Sequence, residues 1–567
     1  MPDPTPASFA RARSSARVTY AAARGTPRSG FVCALPALLI VGVCCGLPLI
    51  WTAMVIIRNP AALADARLSG FRAELLARTL GYNVFAAVIA TLMSLPAAFV
   101  MGRGRGLLAK SMWLIAPAAL LLPFLSFGYG WSQVFRLCQP LFRSVGIGFL
   151  PAGTADTLRC IWTLSSWLWG VPACIVGLQL RRLDPELQMA ALMQGAQVRV
   201  TLRLLLGPIL ASAAILTVLA TQEFAVYEPT GVSVVATEVR MVFSTGAFSS
   251  LPNGGLDQSA PDQSQRASAA VMTAAPLLAV TVFLAALVAR FARQLSPGTS
   301  LHVGDWARVL DARGRTTIAA AALVILNIAV PIAGLILSLK SIDTAARLWA
   351  EFGRAAVGSL TLFAVAAGGA GIVSMSASAF WIRGLLGVSV LSFLLGGEIL
   401  AIALIRLFNR PGLGWAGDSW ILPTLAYLGR FSCIALVAGH STWLPSWDEL
   451  RNDAALSGAG PLQLAARIVW PIALPIFVAA ALLVGALSLT EVAATATLIP
   501  QHPPVLTNKL LTWAHAARSD RMIEGSLLII GLVLIPVAGA FVLAWIARRS
   551  SGEFKVPARS GEQSERL

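Results

Sequence analysis

Met189-Ala-Ala-Leu-Met-Gln-Gly195-Ala196, with Pro208 thirteen residues after its glycine, has a second copy in this chain. That copy is Asn452-Asp-Ala454-Ala-Leu-Ser-Gly458-Ala459, with Pro471 again thirteen residues after the glycine. The copies stand 263 residues apart in a chain of 567. Each is a polar island that follows one apolar run of membrane length and precedes another. A repeat at about half the chain length implies two structurally equivalent halves. Because the repeated element faces water, the pattern is that of a membrane protein that docks something twice.

Composition agrees. Hydrophobic residues make up 57% and charged residues 12%, with a mean hydropathy of +0.75. A soluble domain carries about 25% charge, so most of this chain reads as solvated by lipid. The net charge of +17 sits in short loops between apolar runs rather than on one nucleic-acid-binding face, so the lipid bilayer is expected as a partner and nucleic acid is not. The seven cysteines lie mostly within apolar runs, and there is no CxxC, so they read as small core residues.

Twelve segments are long enough to cross a bilayer as helices. They centre near Val43, Val88, Leu121, Leu168, Leu216 and Val280, then near Leu326, Ala367, Leu394, Ala435, Leu483 and Leu534. The expected fold is an all-α polytopic membrane protein with two homologous six-helix halves. Residues 1–30 form a basic tail, 31–293 the first half, 294–316 a linker, 317–549 the second half and 550–567 a second tail. The apolar run Phe31–Ile57 exceeds the ~7–15 residues of a signal-peptide core, so it is expected to remain as a span. Lys and Arg concentrate on the side shared by the tails, the linker and both repeated loops. That excess places this side, with both termini, in the cytoplasm.

In each copy the paired small residues, Ala190-Ala191 and Ala454-Ala455, offer a helical surface for close packing. Gly195 and Gly458 permit a bend. Pro208 and Pro471 interrupt the helical hydrogen-bond pattern where the chain re-enters the membrane. Ionisable residues inside spans are costly and usually purposeful. Glu223, Glu398, Arg430 and Glu491 are therefore candidates for a water-lined path between the halves, or for charge pairing between helices. Two other patterns fail on context. Gly104-Arg-Gly-Leu-Leu-Ala-Lys110-Ser111 is one residue short of a phosphate-binding loop, and Gly412-Leu-Gly414-Trp-Ala-Gly417 fits GxGxxG without strand, turn and helix.

The loop pair resembles that of the inner-membrane permeases of binding-protein-dependent ABC transporters. Their loop reads Glu-Ala-Ala, three residues, Gly, nine residues, then hydrophobic-x-Leu-Pro. Met189, Ala190, Ala191, Gly195 and Pro208 follow it with Met in place of Glu, and Gly207 stands before the proline. In the second copy Asn452-Asp453 replaces Glu-Ala, and Ile468-Val-Trp-Pro471 closes the motif. Two loops in one chain are similar to the fused permeases of the iron(III)- and thiamine-type branch. So are Asn409 through Gly417, Trp420 through Phe431, and Leu487 through Thr495.

The resemblance implies a permease subunit of the bacterial inner membrane that is not itself an enzyme and needs no cofactor or resident metal. Its expected partners are two copies of an ABC ATPase subunit and an extracytoplasmic solute-binding protein. Ala190, Ala191, Gly195, Pro208, Ala454, Gly458 and Pro471 would form the ATPase-coupling loops. An iron(III)-type solute is favoured, with thiamine, polyamine and phosphonate as the others. The alternative from another class is an ion-coupled secondary transporter, which also uses twelve spans and internal repeats.

Overall fold

The computed structural model describes residues 27–58, 70–104, 106–144, 152–183, 185–246, 263–294, 314–339, 345–380, 383–417, 419–444, 447–498, 504–516 and 518–553. Most of both expected tails and of the expected linker lies outside these ranges. Among the described residues all regular structure is helical. Eleven helices are long and apolar enough to cross a membrane, and a bent pair raises the number to twelve. The protein has the architecture of an all-α polytopic membrane protein.

The bent pair is Leu107–Ala119 and Phe124–Leu141, which meet at 101°. The span expected around Leu121 is therefore centred on a bend. Pro123 lacks an N–H and disfavours helical backbone at Leu122, so the first segment ends before it and the next begins after it. The Leu122 carbonyl freed by the break accepts a hydrogen bond from Trp167 Nε1 at 3.2 Å. A polar backbone group in an apolar layer needs such a partner. The corresponding helix of the second half, Arg383–Phe408, is broken too, at Gly396 with φ 79° and ψ 158°. There a side chain again reaches the break: Gln222 Nε2 donates to the Leu394 carbonyl at 3.5 Å.

The first span of each half packs on the opposite half. Ala37, Val41, Cys44 and Cys45 are buried among Ala370, Val373, Leu428 and Phe431. Conversely, Ala320 and Leu323 are buried among Ala97, Val100, Met101 and Ala116. Close backbone approach makes this exchange tight: a Cβ on Gly130 would fall 2.6 Å from the Pro331 carbonyl, and one on Gly429 would fall 2.5 Å from the Cys44 carbonyl. Small residues at such crossings substitute for the hydrophobic driving force that lipid does not supply.

Both exchanged spans carry a five-residue π-helical segment, Gly42–Gly46 and Ile325–Ala329, and a third occurs at Ala465–Val469. Each ends two residues before a proline: Pro48, Pro331 and Pro471. The residue before each proline donates to the carbonyl five back, from Leu47 to Gly42, Val330 to Ile325 and Trp470 to Ala465. Proline cannot make the i→i−4 bond and its ring crowds that carbonyl, and the wider turn accommodates both.

Deeper correspondences follow. The long helices Phe71–Arg103 and Ala345–Ala379 each present a buried hydroxyl, Thr79 Oγ1 and Ser359 Oγ. Each accepts, at 2.9 Å, the backbone N–H that opens a short helix beyond a break: Val235 and Leu506. The repeat thus extends well past the loops that reveal it in the sequence.

Candidate functional site

The repeated loops fold alike. The first is the nine-residue helix Pro185–Met193, the second the nine-residue helix Asp448–Leu456. Each ends at a glycine with positive φ, 67° at Gly195 and 76° at Gly458. In each, the next residue closes a hydrogen bond back five positions: Ala196 N–H to the Ala191 carbonyl at 2.8 Å, and Ala459 N–H to the Ala454 carbonyl at 3.0 Å. This is the Schellman C-cap, in which a left-handed residue lets the chain satisfy the last helical carbonyls.

Burial also repeats. Ala191 and Ala454 face inward, each 6% exposed, while Met193 and Leu456 face outward, each 82% exposed. Ala190 is exposed on the first copy. The inward face is fastened to the end of the long helix of its own half. Arg103 donates to the Gln188 Oε1 in the first half. In the second half Arg451, which stands at the position equivalent to Gln188, donates to the carbonyls of Ser378 and Thr442, both at 3.1 Å. A guanidinium lies over an indole beside each loop, Arg181 on Trp113 at 4.6 Å and Arg451 on Trp443 at 3.8 Å. These anchors place both loops and the ends Arg103, Arg182, Ala379 and Ser441 on one face of the bundle.

Two further details concern the glycines and the prolines. Beyond its chain neighbours, no atom among the described residues lies within 4 Å of a Cβ built on Gly195 or Gly458, so each glycine answers to backbone angle and not to a tight contact among them. The prolines do not interrupt both re-entries in the same way. Pro208 is buried inside the continuous helix Gln197–Thr221, whereas Pro471 is exposed and follows the π-helical segment.

Beyond each loop the chain re-enters as Gln197–Thr221 or Trp470–Thr490, and each helix ends just before a glutamate. Glu223 and Glu491 converge on one arginine: Arg430 Nη1 lies 2.8 Å from Glu491 Oε1, and Arg430 Nη2 lies 3.7 Å from Glu223 Oε1. Glu491 Oε1 also accepts the Ala494 N–H at 3.0 Å. The pair with Glu223 joins the two halves. Of the four ionisable candidates the structure therefore gathers three. Glu398 stands apart, buried at 7% exposure, and its Oε1 has no hydrogen-bond partner among the described residues.

A second charged layer joins the halves further from the loops. Glu228 pairs with Arg240 at 3.0 Å and lies 3.5 Å from His515 Nε2. His515 Nδ1 sits 2.8 Å from the Leu511 carbonyl, which can only accept. Nε2 therefore carries a proton toward Glu228 only in the imidazolium form. On this side residues 247–262 and 499–503 lie outside the described residues, with Asn253, Asp257, Asp262 and His502 among them.

Sequence reading missed three participants. Gln222 and the Gly396-Gly397 pair frame the charged cluster, and a Gly-Gly-Glu triplet inside an apolar run is a signal that could have been read. Met193 and Leu456 were visible within the repeat, but their exposure was not. Among the described residues no group of three His, Cys, Asp or Glu side chains is placed to hold a metal ion. Compared with known proteins, the chain matches no family model, no curated protein and no solved structure.

Proposed function

We propose that this chain is the membrane-spanning permease subunit of an ABC-type importer, moving a small solute with energy from ATP hydrolysed on a separate subunit. The observation that carries this reading is the loop pair: two identically capped helices on one face, each fastened inward and each holding out a bare apolar side chain. Met193 and Leu456 lie outside the helices long and apolar enough to cross a membrane, so the hydrocarbon core of a bilayer would not cover them. A protein partner bound at both loops would. Two loops of one form suit two copies of one ATPase, and their face is then the cytoplasmic one of a bacterial inner membrane. An extracytoplasmic binding protein would deliver the solute to the opposite face, with iron(III)-type solutes favoured over thiamine, polyamines and phosphonates.

The coupling route in this reading is mechanical. Each loop is continuous with a helix that runs to the charged cluster, Gln197–Thr221 to Glu223 and Trp470–Thr490 to Glu491. When the ATPases close, the loops approach, and the far ends of these helices shift around Arg430. The Arg430–Glu223 contact, the longer of its two, is the one that separation of the halves would open.

The test is ATP hydrolysis and uptake by the isolated complex reconstituted in vesicles. Met193→Glu and Leu456→Glu should each leave the chain folded and inserted, and should remove the ATPase from the complex or uncouple it. A second reading, an ion-coupled secondary transporter, draws support from the broken helix at Gly396 with a buried carboxylate beside it. Energised uptake by the purified chain alone under a proton or sodium gradient would establish that second reading and overturn the first.

A further inference from the structure

We infer that His515 and Glu228 form a pH-sensitive tie between the two halves, on the side of the bundle away from the loops, made in acid and released as the pH rises. Glu228 opens the 3₁₀ turn Glu228–Thr230 of the first half, and His515 ends the helix Leu506–His515 of the second. Their side chains meet at 3.5 Å, His515 Nε2 to Glu228 Oε1. The other carboxylate oxygen is taken, since Arg240 Nη1 donates to Glu228 Oε2 at 3.0 Å. Each oxygen thus faces one basic side chain, Arg240 from its own half and His515 from the other.

The direction follows from which ring nitrogen holds the proton. His515 Nδ1 lies 2.8 Å from the Leu511 carbonyl, and a carbonyl only accepts, so Nδ1 is the protonated nitrogen. A neutral ring has one N–H, so its Nε2 turns a lone pair toward the carboxylate. The contact becomes attractive only when a second proton makes the imidazolium. Acid therefore favours the joined state, and a rise in pH through the range in which histidine titrates removes the attraction.

His515 is 48% exposed and Glu228 23%, so protons reach the contact from the aqueous phase. The same exposure screens it, and such a pair shifts an equilibrium by about two- to fivefold. Across the boundary stand Glu228 and Arg240, with Glu238 on the helix of Arg240. Arg240 does not belong to Glu228 alone, for it also acts on Glu398 as a counter-charge. The helix of His515 itself carries Lys509, which donates to the Glu351 carbonyl and lies over the Trp513 ring at 5.0 Å. The nearer ends of the helices packed against it carry Arg347, Glu351 and Arg354, then Asp520, Arg521 and Glu524, with Arg518 in the connection. Arg521 pairs with Glu351 and Glu524 inside the second half. None of these groups is a histidine, the side chain that ordinarily changes charge between about pH 5 and 8. On the importer reading this side admits the solute, so acid outside would hold the entrance shut. The tie itself needs neither ATPase nor binding protein, and it stands or falls apart from that reading.

The experiment uses the purified full chain in nanodiscs, its seven native cysteines replaced and nitroxide labels attached to Met241→Cys and Thr512→Cys. Both sites are exposed, one on each side of the boundary. Pulsed electron resonance should resolve a shorter and a longer distance. The ratio of short to long should fall about two- to fivefold from about pH 5.5 to about pH 8. His515→Gln should show the alkaline ratio at every pH, and His515→Lys the acid one. Nitrogen NMR of isotope-labelled histidines supplies a second readout. In alkali one of the four histidines should carry its proton on Nδ1, and that signal should vanish in His515→Gln. A native ratio that ignores pH, an equal pH response in His515→Gln, or an Nε2–H ring at His515 in alkali would each overturn the tie.

Discussion

Gly397 and Arg430 contend for one volume: a Cβ on Gly397 would lie 2.5 Å from Arg430 Nη1 and would also overlap Glu491. The ion pair that ties the tenth span to the eleventh is therefore seated against bare backbone of the ninth. Gly397→Ala should lower stability by about 3 kcal/mol, approaching the cost of breaking a buried ion pair. Detergent-solubilised chain, unfolded by heat with a thiol-reactive dye, would report it. A loss no larger than that of an alanine-to-valine change on the lipid-facing surface would show that the guanidinium yields freely.

Arg430 and Glu491 should behave as a unit. Removing Arg430 alone strands two carboxylates, Glu491 and Glu223, whereas removing Glu491 with it strands only Glu223. The double variant Arg430→Gln/Glu491→Gln should be less destabilised than the sum of the singles by about 1–3 kcal/mol. Glu223, at the longer distance, should couple to Arg430 more weakly. Additivity of Arg430→Gln and Glu491→Gln would contradict the geometry.

At the loops, backbone angle should matter more than side-chain size. Gly195 and Gly458 have open space beside them but positive φ, so asparagine, which tolerates the left-handed region, should be milder than valine. The difference should reach about 1–2 kcal/mol per loop, the ordinary cost of left-handed backbone. If asparagine and valine impair ATP-driven uptake equally, the glycines serve a partner's contact surface instead.

Both loops should react from one side of the membrane. In a chain with its seven native cysteines replaced by serine or alanine, Met193→Cys and Leu456→Cys should be modified together by an impermeant maleimide applied to inverted vesicles. Intact cells should protect both. Modification of one from each side would be incompatible with the helix packing and not only with the proposed orientation.

Apolar length and repetition made most of this fold legible, because a bilayer imposes a span length and a repeat imposes a second half. What stayed hidden depended on geometry that a linear pattern does not encode. Leu121 looked like the middle of a span because Pro123 reads the same whether a helix kinks, widens into a π-turn or stops. Pro48, Pro331 and Pro471 are each preceded by a π-helical segment, whereas Pro208 sits in continuous helix. Within the site, Arg430 was recognisable as a costly charge, but its two partners lie 207 and 61 residues away and come from different halves. Gln222 escaped notice because an uncharged amide at a helix end carries no signal until a broken helix brings a free carbonyl beside it.

The crossed first spans bear on how the chain is made. Cys44 and Cys45 meet Gly429 and Phe431, which a ribosome finishes nearly four hundred residues later. The first helix must therefore wait in the bilayer, its small-residue face against lipid or a chaperone, until the tenth has been inserted. Neither half can reach its final packing alone, so residues 1–300 expressed without the rest should be degraded rapidly in a pulse-chase experiment. Supplying residues 301–567 as a second polypeptide should rescue them. The bond between the halves would then matter mainly for timing, as a guarantee that each newly inserted first helix finds its counterpart before quality control does.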